Sequence, residues 1–337
     1  MELINSRQLS SRKVVVVTPV KNESWYLDTF LTAASTWADH IIVSDQNSTD
    51  ESRAIMKAYP KVTIISNDSA VYNENENRKS LLMAARRFGD ENLIFSLDAD
   101  EIVDSSILYG SRLKDILAAP RGTGFTFTLA NIRSNKEDYW PVSMSPTAFI
   151  DDGRMPDAGG AIHLPRTCFS EFSQTRYTGL HIMHMQYLDE RRVLTKQVWY
   201  QMWERLNSSR TSAIKLYRRY HHRDSIRPTK YVAIPQDWVQ GYRSRNIDVF
   251  RFERHDTFWW DSEIEGWFQR FGLAYFKWLD LDEYMPNLAD HRRADDKLAF
   301  RYLRLSQPHY RPLERTLATY LIFIIDRIWE QFWKMRP

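Results

Sequence analysis

The sequence predicts an α/β fold: a mainly parallel sheet with helices on both faces, followed by a mainly helical C-terminal region. Three observations carry this expectation. Four β-branched or apolar runs in the first hundred residues are separated by three segments of helical spacing, unusual polar residues gather just after those runs, and the C-terminal segments with regular apolar spacing are helical.

The run 13–20 (KVVVVTPV) reads as the first strand, and Trp25, Leu27, Phe30, Leu31, Ala34 and Trp37 then recur at helical spacing. HIIVSD, 40–45, is a second strand. Ser48, Thr49 and Asp50 are capping candidates for a helix that carries Ile55, Met56 and Tyr59 on one face. KVTIIS, 61–66, is a third strand; a third helix shows Leu81, Leu82, Ala85 and Phe88 and stops at Gly89. NLIFSL, 92–97, is the fourth strand.

Composition narrows the class. With 337 residues, 43% of them apolar and 26% charged, the chain can bury one large core or two modest ones. One cysteine, Cys168, excludes an intrachain disulfide and a paired-cysteine metal site, which fits a reducing compartment. No apolar run reaches the roughly 18 residues of a membrane span, and the first residues lack a signal-peptide core, so a cytoplasmic location is expected. Residues 205–254 hold 12 Lys or Arg against 4 Asp or Glu, a balance of +8 in a chain of net charge +3, so the remainder carries −5. Such a segment is a solvated face or a surface for a phosphorylated or anionic partner; nucleic acid is not expected.

The fourth strand runs into Asp98, Asp100 and Glu101. Carboxylates this close repel unless a cation or an array of donors offsets them. A lone D-x-D is weak, and Asp280 with Asp282 repeats it; that second pair follows an amphipathic helical pattern over 267–278 and reads as a solvated helix end. Asp98 and Asp100 instead follow a strand. So do Thr18, Asn22 and Glu23 after the first strand and Asp45 and Asn47 after the second, and ligands of parallel sheets bind outside the carboxyl ends of their strands.

The ordered strings TPVKNE, DQNSTD, NENR and LDADE resemble the family 2 glycosyltransferases, nucleotide-diphospho-sugar transferases with the GT-A fold. The resemblance covers about residues 13–104, and more weakly 120–205. It implies a GT-A type single Rossmann-like nucleotide-binding sheet over 1–205, with a nucleotide-sugar half at about 13–104 and an acceptor half at about 105–205, then a helical region over 206–337. It also implies a divalent metal, Mn²⁺ or Mg²⁺, bridging the donor diphosphate. Asp100 would be the direct ligand and Asp98 would lie near the ribose and the metal, with Ala99 small enough to let the donor approach. Thr18, Val20, Asn22 and Glu23 match the loop lining the nucleoside pocket, Asp45 the acid that accepts from the base, and Arg78 the residue that meets the pyrophosphate. Asn47 stands where the family usually has Gly, and Asn best tolerates the left-handed backbone such a turn requires.

Later signals are thinner. Residues 123–134 and 144–153 look like strands, the second ending in Asp151 and Asp152 before a glycine-bearing loop. Strand alternation favours Asp152 as the base for an acceptor hydroxyl, with Asp151 and Glu171 as further candidates; a solvated turn is the alternative. Residues 179–206 pass from strand to helix and resemble a histidine-bearing segment of a bacterial family 2 subgroup, which makes His184 a third metal ligand or a structural hydrogen-bonder. Leu317, Leu321, Ile324, Ile325, Ile328 and Phe332 form one helical stripe that could pack on the catalytic domain, form a homodimer seam or lie on a membrane surface.

The expected activity is metal-dependent transfer of a sugar, with inversion, from a nucleotide diphosphate sugar, UDP favoured, to a saccharide or lipid-linked acceptor. Two rivals stand beside it. A sugar nucleotidyltransferase would need a glycine-rich loop after the first strand, and 18–26 contains no glycine. A non-catalytic carbohydrate-binding protein of the same fold would not hydrolyse a donor.

Overall fold

The computed structural model describes residues 12–67, 74–109, 111–157, 165–207, 216, 219–220, 226, 228–276, 279 and 324. Asp280, Asp282 and, apart from helical Ile324, the apolar stripe 317–332 lie outside them. The chain forms two compact units: Met1–Leu188 with Tyr231–His255, and Asp189–Lys230 with Asp256–Pro337.

In the first unit the expected alternation is present: β1 Val14–Val20, α1 Ser24–Ser35, β2 His40–Asp45, α2 Ser52–Lys57, β3 Val62–Ser66, α3 Glu74–Ala85 and β4 Leu93–Ser96. β1 lies between β2 and β4 and is parallel to both, while β2 is parallel to β3. Because successive strand residues face opposite sides, Val14 and Val16 join one core with Trp25, Phe30 and Leu31 of α1, whereas Val15 and Val17 join another with Leu81, Leu82 and Ala85 of α3. Both faces are covered, so β1 is apolar without alternation. After α3 a 3₁₀ turn, Arg86–Phe88, ends at Gly89 with φ +144°.

Direction changes after β4. β5 Glu101–Val103 and α4 Ser111–Leu117 lead into the long β6 Thr123–Ile132, then β7 Asp138–Ser143, β8 Ala148–Ile150 and β9 Gln174–His184. β8 runs antiparallel to β4, pairing Ile150 with Leu93 and Ala148 with Phe95. β9 runs parallel to β6 and places His184 beside Asn131, and it is antiparallel to β5, with His184 opposite Glu101. A short strand from later in the chain, β10 Val232–Ala233, pairs with β7. The sheet order is β10, β7, β6, β8, β4, β1, β2, β3. Residues 231–255 are tied to this unit by the short helix Asp237–Arg243 as well: Tyr242 donates to Val103 O at 2.8 Å and Gly241 N to Ser105 Oγ at 3.0 Å. A Cβ on Gly241 would meet Ser105 at 2.9 Å, so glycine permits this approach.

The second unit is helical among its described residues. Glu190–Asn207 and Trp259–Phe271 bury Val198, Met202, Trp260, Ile264 and Phe268 together, and Trp199 Nε1 donates to Glu263 Oε2 at 2.8 Å. The helical pattern expected through 267–278 breaks at Gly272, φ +73°, and continues as a 3₁₀ turn, Leu273–Phe276.

Candidate active site

Two interlocked loops stand at the carboxyl ends of β1 and β2. Asn22 and Asn47 both adopt left-handed backbone, φ +53° and +57°. Asn22 Oδ1 accepts from Thr49 N at 2.6 Å, Asn22 N donates to Ser48 Oγ at 3.0 Å, and Glu23 N donates to Ser52 Oγ at 3.0 Å. Asp50 caps two helices at once, accepting from Ser24 N at 3.0 Å and Ser52 N at 2.9 Å. Burial pushes the Asp50 carboxyl up, but these hydrogen bonds outweigh it and hold the pKa below the ordinary value.

The expected nucleoside residues sit around these loops. Thr18 and Val20 are buried in β1, and Val20 pairs with Asp45. Asp45 is fully buried; Ser48 N donates to its Oδ1 at 3.0 Å and Arg53 Nε to its Oδ2 at 2.9 Å. Glu23 accepts from Trp25 Nε1 at 2.6 Å. Asp45 therefore holds its own turn and Arg53 in place.

At the end of β4 the three acids meet their counter-charges. Arg166 bridges Asp98, at 3.0 Å from Nη2 to Oδ2, and fully buried Glu101, to which Nη1 donates a short hydrogen bond. Glu101 Oε2 also accepts from Asp98 N at 3.0 Å, while Glu101 Oε1 is buried without a hydrogen-bond partner among the described residues. Burial pushes the Glu101 carboxyl up, and Arg166 pulls against it. Sequence reasoning missed Arg166, which lies in an irregular loop. Arg78, the expected pyrophosphate residue, is close by: its Nη1 donates to Arg166 O at 3.0 Å and to Ser96 Oγ at 3.3 Å, and its Nε donates to Glu74 Oε1 at 2.9 Å. Ala99 is buried between the two aspartates.

Asp100 faces a different partner. His184 Nε2 stands 3.6 Å from Asp100 Oδ1, and the β5–β9 pairing fixes that approach, reinforced by Met185 N donating to Asp100 O at 2.8 Å. His184 Nδ1 donates to Asn131 Oδ1 at 2.9 Å; Gln186 Nε2 is farther from the same nitrogen, at 3.4 Å. With its proton on Nδ1, the imidazole turns the Nε2 lone pair toward the carboxylate. A carboxylate and a neutral imidazole facing each other at this distance could share one divalent cation, and the nitrogen donor suits Mn²⁺ better than Mg²⁺, which prefers oxygen ligands. Among the described residues no group of three His, Cys, Asp or Glu surrounds one point. Asp100 and His184 form the pair, while Asp98 is turned to Arg166.

The base candidates are not brought here, and that expectation is corrected. Asp151 N donates to Asn92 O, at the amino end of β4, the length of that strand (roughly 13 Å at ~3.3 Å per residue) away from the acid cluster. Asp151 is buried and held at both oxygens by Arg86, each at 2.7 Å. Asp152 caps Arg154 N at 3.2 Å. Glu171 lies at the same end, two residues before Ser173, whose N donates to Gly122 O at 3.2 Å. Alternation read the face of β8; it could not reveal that β8 runs antiparallel to β4 and delivers its end to the wrong edge.

Comparison with known proteins bears on this arrangement. Residues 15–182 match the family model described as glycosyl transferase family 2. No curated protein matches the chain significantly. Among solved structures, a mycobacterial protein is 20% identical over 38% of this chain and 42% of its own, with a TM-score of 0.28. Glucosyl-3-phosphoglycerate synthase from Mycobacterium tuberculosis is 18% identical over 38% of this chain and 46% of its own, TM-score 0.27. Mannose-1-phosphate geranyltransferase from Thermus thermophilus is 14% identical over 42% and 50%, TM-score 0.26. The chain thus spans half or less of the length of these structures, and likenesses this distant decide nothing about substrate. The family match covers the β/α half and runs through β9 to within two residues of His184, with the D-x-D loop inside it. Residues 15–182 are a GT-A domain of glycosyl transferase family 2, and the chain belongs to that family.

Proposed function

We propose that the chain is a metal-dependent glycosyltransferase, moving a sugar with inversion from a nucleotide diphosphate donor, UDP-linked, to a hydroxyl of a saccharide or lipid-linked acceptor. The observation that carries the reading is the facing pair Asp100 Oδ1 and His184 Nε2, 3.6 Å apart at the carboxyl end of the sheet of a family 2 domain. When bound, a divalent cation would neutralise the departing nucleotide diphosphate. The chain's own residues do the rest. Asp100 and His184 would hold the cation, and Asp98 would stand at the ribose side. Ala99 leaves room for the donor, and Arg78 with Arg166 supplies positive charge beside the diphosphate. Thr18, Val20, Asn22 and Glu23 flank the nucleoside, beside the turn that Asp45 holds. One buried cysteine suits a reducing compartment, which supports a cytoplasmic site of action. None of the described helices is long and apolar enough to cross a membrane.

The test is a thermal-shift screen of nucleotide sugars with and without Mn²⁺, followed by donor hydrolysis. A ligand at a hundredfold excess over Kd stabilises by about 2.7 kcal/mol, enough to rank donors. Asp100→Asn should lose the Mn²⁺-dependent shift while keeping the unliganded Tm, and Asp282→Asn should keep both. Donor binding without any hydrolysis would favour a carbohydrate-binding role; no shift with any nucleotide sugar would sink the reading.

A further inference from the structure

Three carboxylates, Asp98, Asp100 and Glu101, gather at the end of β4, where Arg166 pairs with two of them while Arg78 is paired with Glu74. Arg166 connects the inside of this cluster to its outside: Glu101 is fully buried, whereas the Asp98 side chain is 39% exposed and that of Arg166 23%. It gives one terminal nitrogen to each acid, through Nη1 to Glu101 and Nη2 to Asp98, and grips neither with the two-pronged geometry that makes arginine–carboxylate pairs strong. Its main chain is anchored separately. Arg166 O accepts from Ser96 Oγ at 2.8 Å and from Arg78 Nη1 at 3.0 Å, so the backbone is tied to the end of β4 independently of the two terminal nitrogens that meet the acids.

We propose that Arg166 is a built-in counter-cation: it holds Asp98 and Glu101 together until a divalent ion settles beside Asp100, then turns its charge to the diphosphate of the donor. The inference rests on the donor-binding reading above and adds a residue and an order of events to it. A doubly charged ion entering the cluster repels the guanidinium and weakens its hold on Asp98, the more exposed of its two partners. An arriving diphosphate is the nearest new anion for it, on the side where Arg78 stands paired with Glu74. Arg166 therefore opposes metal binding alone and favours binding of metal and diphosphate together. A purely structural arginine would favour both or neither.

The experiment measures two affinities in the full chain, for Mn²⁺ alone by electron paramagnetic resonance and for inorganic pyrophosphate at saturating Mn²⁺ by calorimetry. Arg166→Gln should bind Mn²⁺ about tenfold more tightly and pyrophosphate about tenfold more weakly, since one opposite charge at hydrogen-bond distance is of that order. Arg166→Lys, which keeps the charge, should lie near wild type on both. Parallel losses in Arg166→Gln, unchanged affinities, or no Mn²⁺ binding by this variant without pyrophosphate would overturn the inference. Absence of Mn²⁺ binding by the wild type even with pyrophosphate would instead overturn the reading it rests on.

Discussion

Asn131 accepts the Nδ1 proton of His184 at 2.9 Å, and this one bond decides which imidazole nitrogen looks at Asp100. Orienting bonds of this kind are worth about 10- to 100-fold in metal affinity. Asn131→Leu should weaken Mn²⁺ binding by that factor, and Asn131→Asp, which restores an acceptor, should recover it. Equal affinity in all three proteins, measured by Mn²⁺ titration, would leave the histidine without a role at the metal.

Half-buried Arg86 holds buried Asp151 with a two-pronged ion pair, so removing one partner leaves the other's charge uncompensated. Asp151→Asn should cost about 1–3 kcal/mol in urea denaturation, and the fraction that remains folded should turn over donor at the wild-type rate. A stable Asp151→Asn protein with slowed turnover would return this residue to the chemistry.

Asn47, with φ +57° at an exposed turn, tests the tolerance argued from sequence. Glycine there should be nearly neutral, while valine should cost about 1–2 kcal/mol for the left-handed backbone. Chemical denaturation that ranks the two alike would refute the account of the turn.

Asp50 supplies a pH signature. Its folded pKa lies below the ordinary value of 3.8, so the folded state favours the ionised carboxylate. The stability it contributes is fully present above the unfolded pKa and disappears as pH falls through the lower folded value. Asp50→Ala should therefore cost about 1–2 kcal/mol at pH 7, as loss of a cap shared by two helices, and the gap to wild type should narrow below pH 3.8. A gap independent of pH would mean that the carboxylate's charge is not what caps them.

Much of this was legible because burial writes itself into sequence. The valine run of β1 and the helical spacing of Leu81, Leu82 and Ala85 both follow from a sheet covered on two faces. Asp100 drew notice because a charge at the end of an apolar strand demands a counterpart, and His184 because its segment resembles a histidine-bearing one of a family 2 subgroup; that the two face each other came only with the fold. Arg166 was not, since its loop has no period and its partners are 65 and more residues away. The base candidates failed for a related reason: a period of two gives the face of a strand but never its direction.

The β5–β9 pairing has a consequence for motion. β5 is three residues long and, among the described residues, pairs with β9 alone, yet it carries Glu101 and follows directly on Asp100. A strand that short opens easily, so its amides should exchange with solvent sooner than those of β1, which is paired on both sides. A cation held between Asp100 and His184 would cross-link the loop before β5 to the last residue of β9. Deuterium uptake across 101–103 and 182–184 should then slow on addition of Mn²⁺, as a clasp closed between two strand ends requires.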